Sequence, residues 1–338
     1  PWAKRCVNLN QEKWDQTLDH VKEAIIAGIA RGDIWLAKIR RDQHGERIFA
    51  NVCLEVFLRS RGTCLLQHIN LGGCEVDEIP NAFFEGMYEL IQLHDKTGVE
   101  KTGEYLPQET DRQVGLGMLG LANLLALEGI TYKQLADALD HWHQSDFSGV
   151  KDTTKVTPEA LKIVKALNEG ITIAADTARA AKMDRAFAIA PTASCSYRYQ
   201  DRAGYTTAPE IAPPIGRTVD RDSSTFGVEQ VDYGNVETSE EVGWHDYYRV
   251  VNGIMRMLQN TGLCHGYSFN TWSDIVGYNP DFVQDWLDSP QTSMYYSLQV
   301  TQNTQAKDDI SNALDEDYKT LFDFNETEDE YADPAMCV

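Results

Sequence analysis

The sequence predicts an α/β fold in one main domain. Segments with apolar positions at helical spacing alternate along the chain with short apolar and β-branched runs, the pattern of helices packed on a sheet. No internal repeat and no linker-like stretch interrupts that alternation. At 338 residues, 42% of them hydrophobic, the chain can bury a large core.

The elements follow in order. Trp14, Leu18, Val21, Ile25 and Ile29 recur at helical spacing and predict one amphipathic helix over 12–31. Alternating residues between 32 and 62 predict strand pieces around a loop at His44-Gly45. CLLQHINLGGC (64–74) predicts a short strand ending at Gly72-Gly73, and residues 80–97 predict a helix. RQVGLGMLGLANLLALEGI (112–130) spells GxGxxG at Gly115, Gly117 and Gly120. Such a run signals a dinucleotide-binding turn only after a buried strand. LPQETDR (106–112) does not read as one, so the expectation is a helix whose small residues allow close packing. Residues 134–145 and 159–182 predict helices. AFAIAPTASCSYRY (186–199) predicts a strand ending in a turn of small polar residues after Pro191. The proline-rich TTAPEIAPPIGRTVD (206–220) predicts an ordered irregular loop. A helix over 246–262 is followed by strand, helix and strand at GYSFNTW, DFVQDWL and TSMYYSLQVTQ.

Composition excludes several classes of function. The formal charge of −22 repels a nucleic-acid backbone. Part of the acidic excess sits in residues 308–338, which read as a solvated tail. No run approaches the ~18 apolar residues of a membrane span, and the N-terminus has no secretory pattern. Seven cysteines, at 6, 53, 64, 74, 195, 264 and 337, form no CxxC and no Cys/His cluster. That argues against a zinc site and a disulfide scaffold, and for a reducing, cytoplasmic setting.

Four stretches carry possible chemistry. In FANVCLEVFL (49–58) a strand would place Asn51, Cys53 and Glu55 on one face and Val52, Leu54 and Val56 on the other. The plain explanation is a half-exposed strand with Cys53 as a small hydrophobe; the sharper one is an inward Glu kept for chemistry. Cys64 lies eleven residues on, within reach of Cys53 if a loop joins two strands. The Pro191 turn can cradle an anion if a helix N-terminus follows, although an ordinary polar turn reads the same. Tyr295 and Tyr296, adjacent in a strand, should face opposite sides.

In chain order these pieces resemble the large, catalytic subunit of ribonucleotide reductase. They are Asn51-x-Cys53-x-Glu55, Cys64 followed by Asn70-Leu71-Gly72, Pro191–Ser194, Ser268-x-Asn270-Thr271 and Tyr295-Tyr296. No single motif is specific; the ordered set, from about residue 20 to about 305, is. The resemblance implies part of a ten-stranded α/β barrel with a central finger loop carrying the radical cysteine. Residues 1–310 would be the C-terminal portion of that barrel and 311–338 an acidic tail. The implied activity is that of a ribonucleoside-diphosphate reductase, making 2′-deoxyribonucleotides by thiyl-radical chemistry. Cys53 would carry the radical, Glu55 would act as base, Asn51 would orient the substrate, and Cys64 would be one of two reducing thiols. Pro191, Thr192, Ala193, Ser194 and Cys195 would hold the substrate phosphates, Tyr296 and Tyr295 would relay the radical, and Cys337 would be a redox tail.

The implied partners are a ribonucleoside di- or triphosphate, a radical-generating small subunit, thioredoxin or glutaredoxin, the N-terminal portion of the subunit, and further copies in an oligomer. A class I enzyme binds no cofactor or metal of its own on this chain; a class II enzyme takes adenosylcobalamin. Two departures stand out. The second thiol for Cys64 is expected upstream of Pro1, since Cys6 lies in the wrong context, and the tail offers Cys337 without a neighbouring cysteine. The chain therefore reads as a C-terminal part. Another thiyl-radical barrel enzyme and a non-catalytic scaffold are the competing readings.

Overall fold

The computed structural model describes residues 5–96, 103–148, 156–223, 227–279, 281–298 and 300. Strand β1 (Arg5–Leu9) leads to α1 (Gln11–Gln16) and α2 (Asp19–Ala30). The single helix expected over 12–31 is thus two, broken where Thr17 and Leu18 take extended backbone. Strands β2 (Ile34–Lys38), β3 (Arg40–Arg41), β4 (Arg47–Ala50) and β5 (Phe57–Leu58) come next. Strand β6 (Leu66–Asn70) and helix α3 (Ile79–Asp95) match their predicted places.

The GxGxxG stretch differs from its expectation. Strand β7 (Gln113–Leu119) holds Gly115 and Gly117, and α4 (Leu121–Glu128) starts only after Gly120. Every residue of β7 is buried, so no period-two pattern was there to read. The two strand glycines make room: a Cβ at Gly117 would lie 2.3 Å from the Ala188 carbonyl oxygen, and one at Gly115 2.5 Å from Leu66. Gly120 makes the turn with φ +72°. Two of the three glycines therefore serve sheet packing inside the strand rather than a phosphate-binding turn.

Helices α5 (Tyr132–Ser148) and α6 (Pro158–Ala180) precede β8 (Arg185–Ile189) and the one-turn helix α7 (Ala193–Ser196). A β9 (Thr218–Ser223) and β10 (Gly227–Asp232) hairpin follows the irregular proline-rich segment. Helix α8 (Ser239–Asn260) opens with a capping box between Thr238 and Glu241 and kinks at Gly243, φ +75°. The expected start at 246 corresponds to the portion beyond that kink. Strands β11 (Cys264–Tyr267) and β12 (Thr271–Trp272), helices α9 (Ser273–Tyr278) and α10 (Phe282–Asp288), and strands β13 (Ser293–Met294) and β14 (Ser297–Leu298) complete the described chain.

The centre is a parallel sheet in the order β11-β8-β7-β6. Helices connect its neighbouring strands, as parallel pairing requires. Helix α6 closes on α3 where Gly170 meets the ring of Phe83, and α8 closes on α5 where Gly253 meets Leu139. A second sheet runs β1-β2-β13, with β1 parallel and β13 antiparallel to β2. This is a mixed α/β fold, and the C-terminal ends of the parallel strands gather at one edge, where α/β sheets carry their sites. Among the described residues, no helix is long and apolar enough to cross a membrane. Cys337 and residues 311–338 lie outside the described residues.

Candidate active site

Residues 51–56 form the tip of the β4–β5 hairpin, where Ala50 pairs with Phe57. A turn, rather than the strand face that alternation alone offers, carries Asn51, Cys53 and Glu55. Asn51 N–H donates to the Val56 carbonyl at 2.8 Å, Leu54 N–H to the Asn51 carbonyl at 3.0 Å, and Leu54 takes φ +65°. Val52 is therefore 58% exposed while Leu54 and Val56 are buried, so these three do not share a face.

The Asn51 side chain organises the tip. Its Oδ1 accepts from Val56 N–H at 3.1 Å, and its Nδ2 donates to Glu55 Oε1 at 3.0 Å and to Cys64 Sγ at 3.4 Å. Ser268, just past the end of β11, places its Oγ 2.5 Å from the Cys53 carbonyl and 3.1 Å from Glu55 Oε2. Ser268 N–H donates to Ile189 O, so the hairpin tip is tied to the end of β8. His265 holds the hairpin from below. Its Nδ1 accepts from Phe57 N–H at 3.1 Å while its Nε2 lies 3.1 Å from Val114 O. Burial keeps this imidazole neutral, so the proton sits on Nε2 and donates to that carbonyl. On the chain leading to Cys64, both Thr63 N–H and its hydroxyl donate to Asp111.

Burial raises the pKa of Glu55, and the hydrogen bonds from Asn51 and Ser268 pull it back down. Burial, with the Glu55 charge adding to it, pushes Cys64 up to about 11 and raises Cys53 as well. Both sulfurs are thus held as thiols, carrying hydrogen.

Tyr295 Oη lies 3.8 Å from Cys53 Sγ and 3.2 Å from Tyr296 Oη. The two rings do not face opposite ways; their centroids are 4.0 Å apart. The pair lies between β13 and β14, outside regular strand, so strand alternation does not apply. Tyr295 N–H bonds Phe269 O and Tyr296 O accepts from Thr271 N–H, while the Trp35 ring stands 4.6 Å from that of Tyr295. Tyr296 is 38% exposed, Tyr295 is buried at 7% and Cys53 is half-buried, so the row Tyr296, Tyr295, Cys53 leads from the surface through a buried phenol to the hairpin tip.

The Pro191 turn stands at the end of β8. Thr192 takes φ +52° and caps α7, whose exposed first turn is Ala193, Ser194 and Cys195. The first N–H groups of a helix have no partner within it, so they face outward there. Cys195 Sγ lies 3.3 Å from Thr192 O. His68, held neutral by burial with its pKa down to about 4, accepts from Ala190 N–H at 2.9 Å and steadies the approach to the turn.

The structure thus brings Asn51, Cys53, Glu55, Cys64, Tyr295 and Tyr296 into one cluster, with Pro191–Cys195 joined to it through Ser268 and β8. Ser268 stands in a motif of the sequence that by itself assigns it no role. His68, Trp35 and His265 give no local signal, because their partners are remote in sequence. Among the described residues, no group of three or more His, Cys, Asp or Glu side chains could hold a metal ion.

No family profile and no curated protein matches the sequence. Among solved structures, the class Id ribonucleotide reductase alpha subunit of Actinobacillus ureae superposes with a TM-score of 0.51 at 15% identity. The match covers 89% of this chain and 65% of that one, so the chain spans less than two-thirds of its length. The two share a mixed α/β fold, and that subunit is of the kind whose motif order this sequence resembles.

Proposed function

We propose that this chain is the catalytic part of a ribonucleotide reductase, reducing ribonucleotides to 2′-deoxyribonucleotides by thiyl-radical chemistry. The observation that carries the reading is the row Tyr296–Tyr295–Cys53 ending beside Asn51, Glu55 and Cys64. In this reading the β4–β5 hairpin is the finger loop of a ten-stranded barrel completed by the N-terminal portion of the subunit.

Cleaving the ribose 2′ carbon–oxygen bond needs a radical at the neighbouring carbon. Tyr295, as a phenoxyl radical, takes the hydrogen atom of the Cys53 thiol, leaving a phenol and a thiyl. The thiyl takes the 3′ hydrogen of the substrate. Glu55 takes the 3′-hydroxyl proton while the 2′-hydroxyl, given a proton by the reducing thiols, leaves as water, and Glu55 returns its proton to the 3′ oxygen when the 3′ carbon regains its hydrogen. Asn51 orients the ribose. Cys64 and a second thiol supply two hydrogens and become a disulfide, and Cys53 returns its hydrogen to the 3′ carbon. Thioredoxin or glutaredoxin would restore the thiols through Cys337. The turn at Pro191–Cys195 would hold the di- or triphosphate.

The tyrosine pair supports a class I arrangement, with the oxidant made on a small subunit docked near exposed Tyr296. Tyr296→Phe keeps the ring and removes the hydroxyl. With the small subunit and the N-terminal portion present, this variant should form deoxynucleotide at under about one-hundredth of the wild-type rate. Full activity that depends on added adenosylcobalamin would replace the class I reading with a class II one.

A further inference from the structure

Beneath the Pro191 turn lies a buried polar pair that the proposed chemistry does not use. Glu210 belongs to the proline-rich segment, is 6% exposed, and takes φ +46°, a conformation rarely held by a residue with a side chain. Its N–H donates to Thr192 Oγ1 at 2.8 Å, fixing the residue that caps α7. Its Oε1 accepts from Asn270 Nδ2 at 2.7 Å. Two buried atoms of the same pair, Glu210 Oε2 and Asn270 Oδ1, have no close hydrogen-bond partner, although the Tyr267 phenol also bears on the carboxyl. Both are acceptors when the carboxyl is ionised, and two buried acceptors without a donor are costly. One proton on Oε2, donated to Asn270 Oδ1, satisfies both atoms and closes an acid–amide ring.

The titratable groups facing the pair are the phenols of Tyr132 from α5, Tyr247 from α8 and Tyr267 from β11. Burial raises the pKa of all three, so they are neutral. No Lys or Arg acts on the carboxyl among the described residues; burial pushes it up from 4.5 to about 8, with Tyr267 and Asn270 opposing. Asn270 is two residues from Ser268, and its carbonyl accepts from Tyr247 Oη at 3.0 Å.

We propose that Glu210 and Asn270 form a proton-sharing acid–amide pair that positions the Pro191–Cys195 turn against the Ser268 strand end, so that anion binding at the turn is lost when the proton leaves. The anion part rests on the function proposed above; the pair itself does not. Below about pH 4.5 the carboxyl is protonated in folded and unfolded chains alike. From there to about pH 8 only the unfolded chain ionises, so stability falls as pH rises, and above about 8 the fall stops. Once the carboxyl ionises, the binding-competent fraction of turns drops. One pH unit above its pKa it is about one-tenth.

The test uses the full chain, Glu210→Gln and Glu210→Leu. The infrared protonated-carboxyl band, the pH profile of denaturant unfolding, and the affinity for inorganic pyrophosphate are measured between about pH 5 and 9. In the wild type the band should vanish near pH 8 and affinity should fall about tenfold one unit above that. Glu210→Gln, which closes an amide–amide ring at every pH, should lack the band and bind independently of pH. Glu210→Leu should bind weakly throughout. Superposable wild-type and Glu210→Gln pH profiles, or no band lost in that variant, overturn the pair. A band that titrates in a wild-type chain binding no pyrophosphate at any pH overturns the anion coupling and contradicts the substrate reading of the turn, while the pair stands.

Discussion

Asn51 shows how much one side chain does in this site. An amide has two donor hydrogens and one acceptor oxygen. Here they go to Glu55, Cys64 and the Val56 N–H, so a single rotamer fixes the base, the thiol and the turn. Ser268 shares its one O–H between Glu55 and the Cys53 carbonyl. Removing it in Ser268→Ala should raise the Glu55 pKa, since a bond to the charged form is lost. The acidic limb of the pH–rate profile then moves upward by about one pH unit, with the fold intact. A limb that stays in place shows that Ser268 does not tune the base. Sequence spacing found Asn51, Cys53 and Glu55 because local order carries them. It could not find Glu210, because the partners that give it meaning lie 18 and 60 residues away. A glutamate among prolines reads as solvent-facing, and burial is a tertiary property.

At the scale of elements, helices α3, α5 and α6 were legible because one apolar face leaves a 3.6-residue period. Strand β7 was not, because a strand buried on both faces leaves no alternation and runs without a break into the apolar helix α4. Its glycines are set by contact. A Cβ on Gly117 would strike the Ala188 carbonyl and the His68 ring, both parts of the sheet that cannot swing away. Gly117→Ala should therefore destabilise the chain by about 1–3 kcal/mol in denaturant unfolding. A change under about 0.5 kcal/mol would mean the sheet gives way more easily than these distances allow. The tyrosine pair went astray for a related reason. Two short strands flank it, but residues 295 and 296 lie in the gap between them, where successive side chains need not alternate.

Across the whole molecule, hydrogen bonds join three strand ends and a hairpin tip that are distant in sequence. Cys53 meets Tyr295 across 242 residues and Ser268 across 215. The order of motifs anticipated this assembly, whereas composition alone gave little beyond an acidic surface unsuited to nucleic acid. The likeness to the Actinobacillus ureae alpha subunit extends over 89% of the chain, so the fold that surrounds the cluster is shared. The proposed reaction stands on Cys53, whose thiyl takes the 3′ hydrogen and later returns it. Cys53→Ser preserves size and shape but gives an O–H bond far stronger than S–H, so it cannot pass a hydrogen atom in both directions. Deoxynucleotide formation from ribonucleoside di- and triphosphates should be measured with the N-terminal portion and the radical-generating subunit supplied. The wild type should give product and Cys53→Ser none above background, with unchanged unfolding curves. Turnover of that variant at the wild-type rate would contradict this role of Cys53.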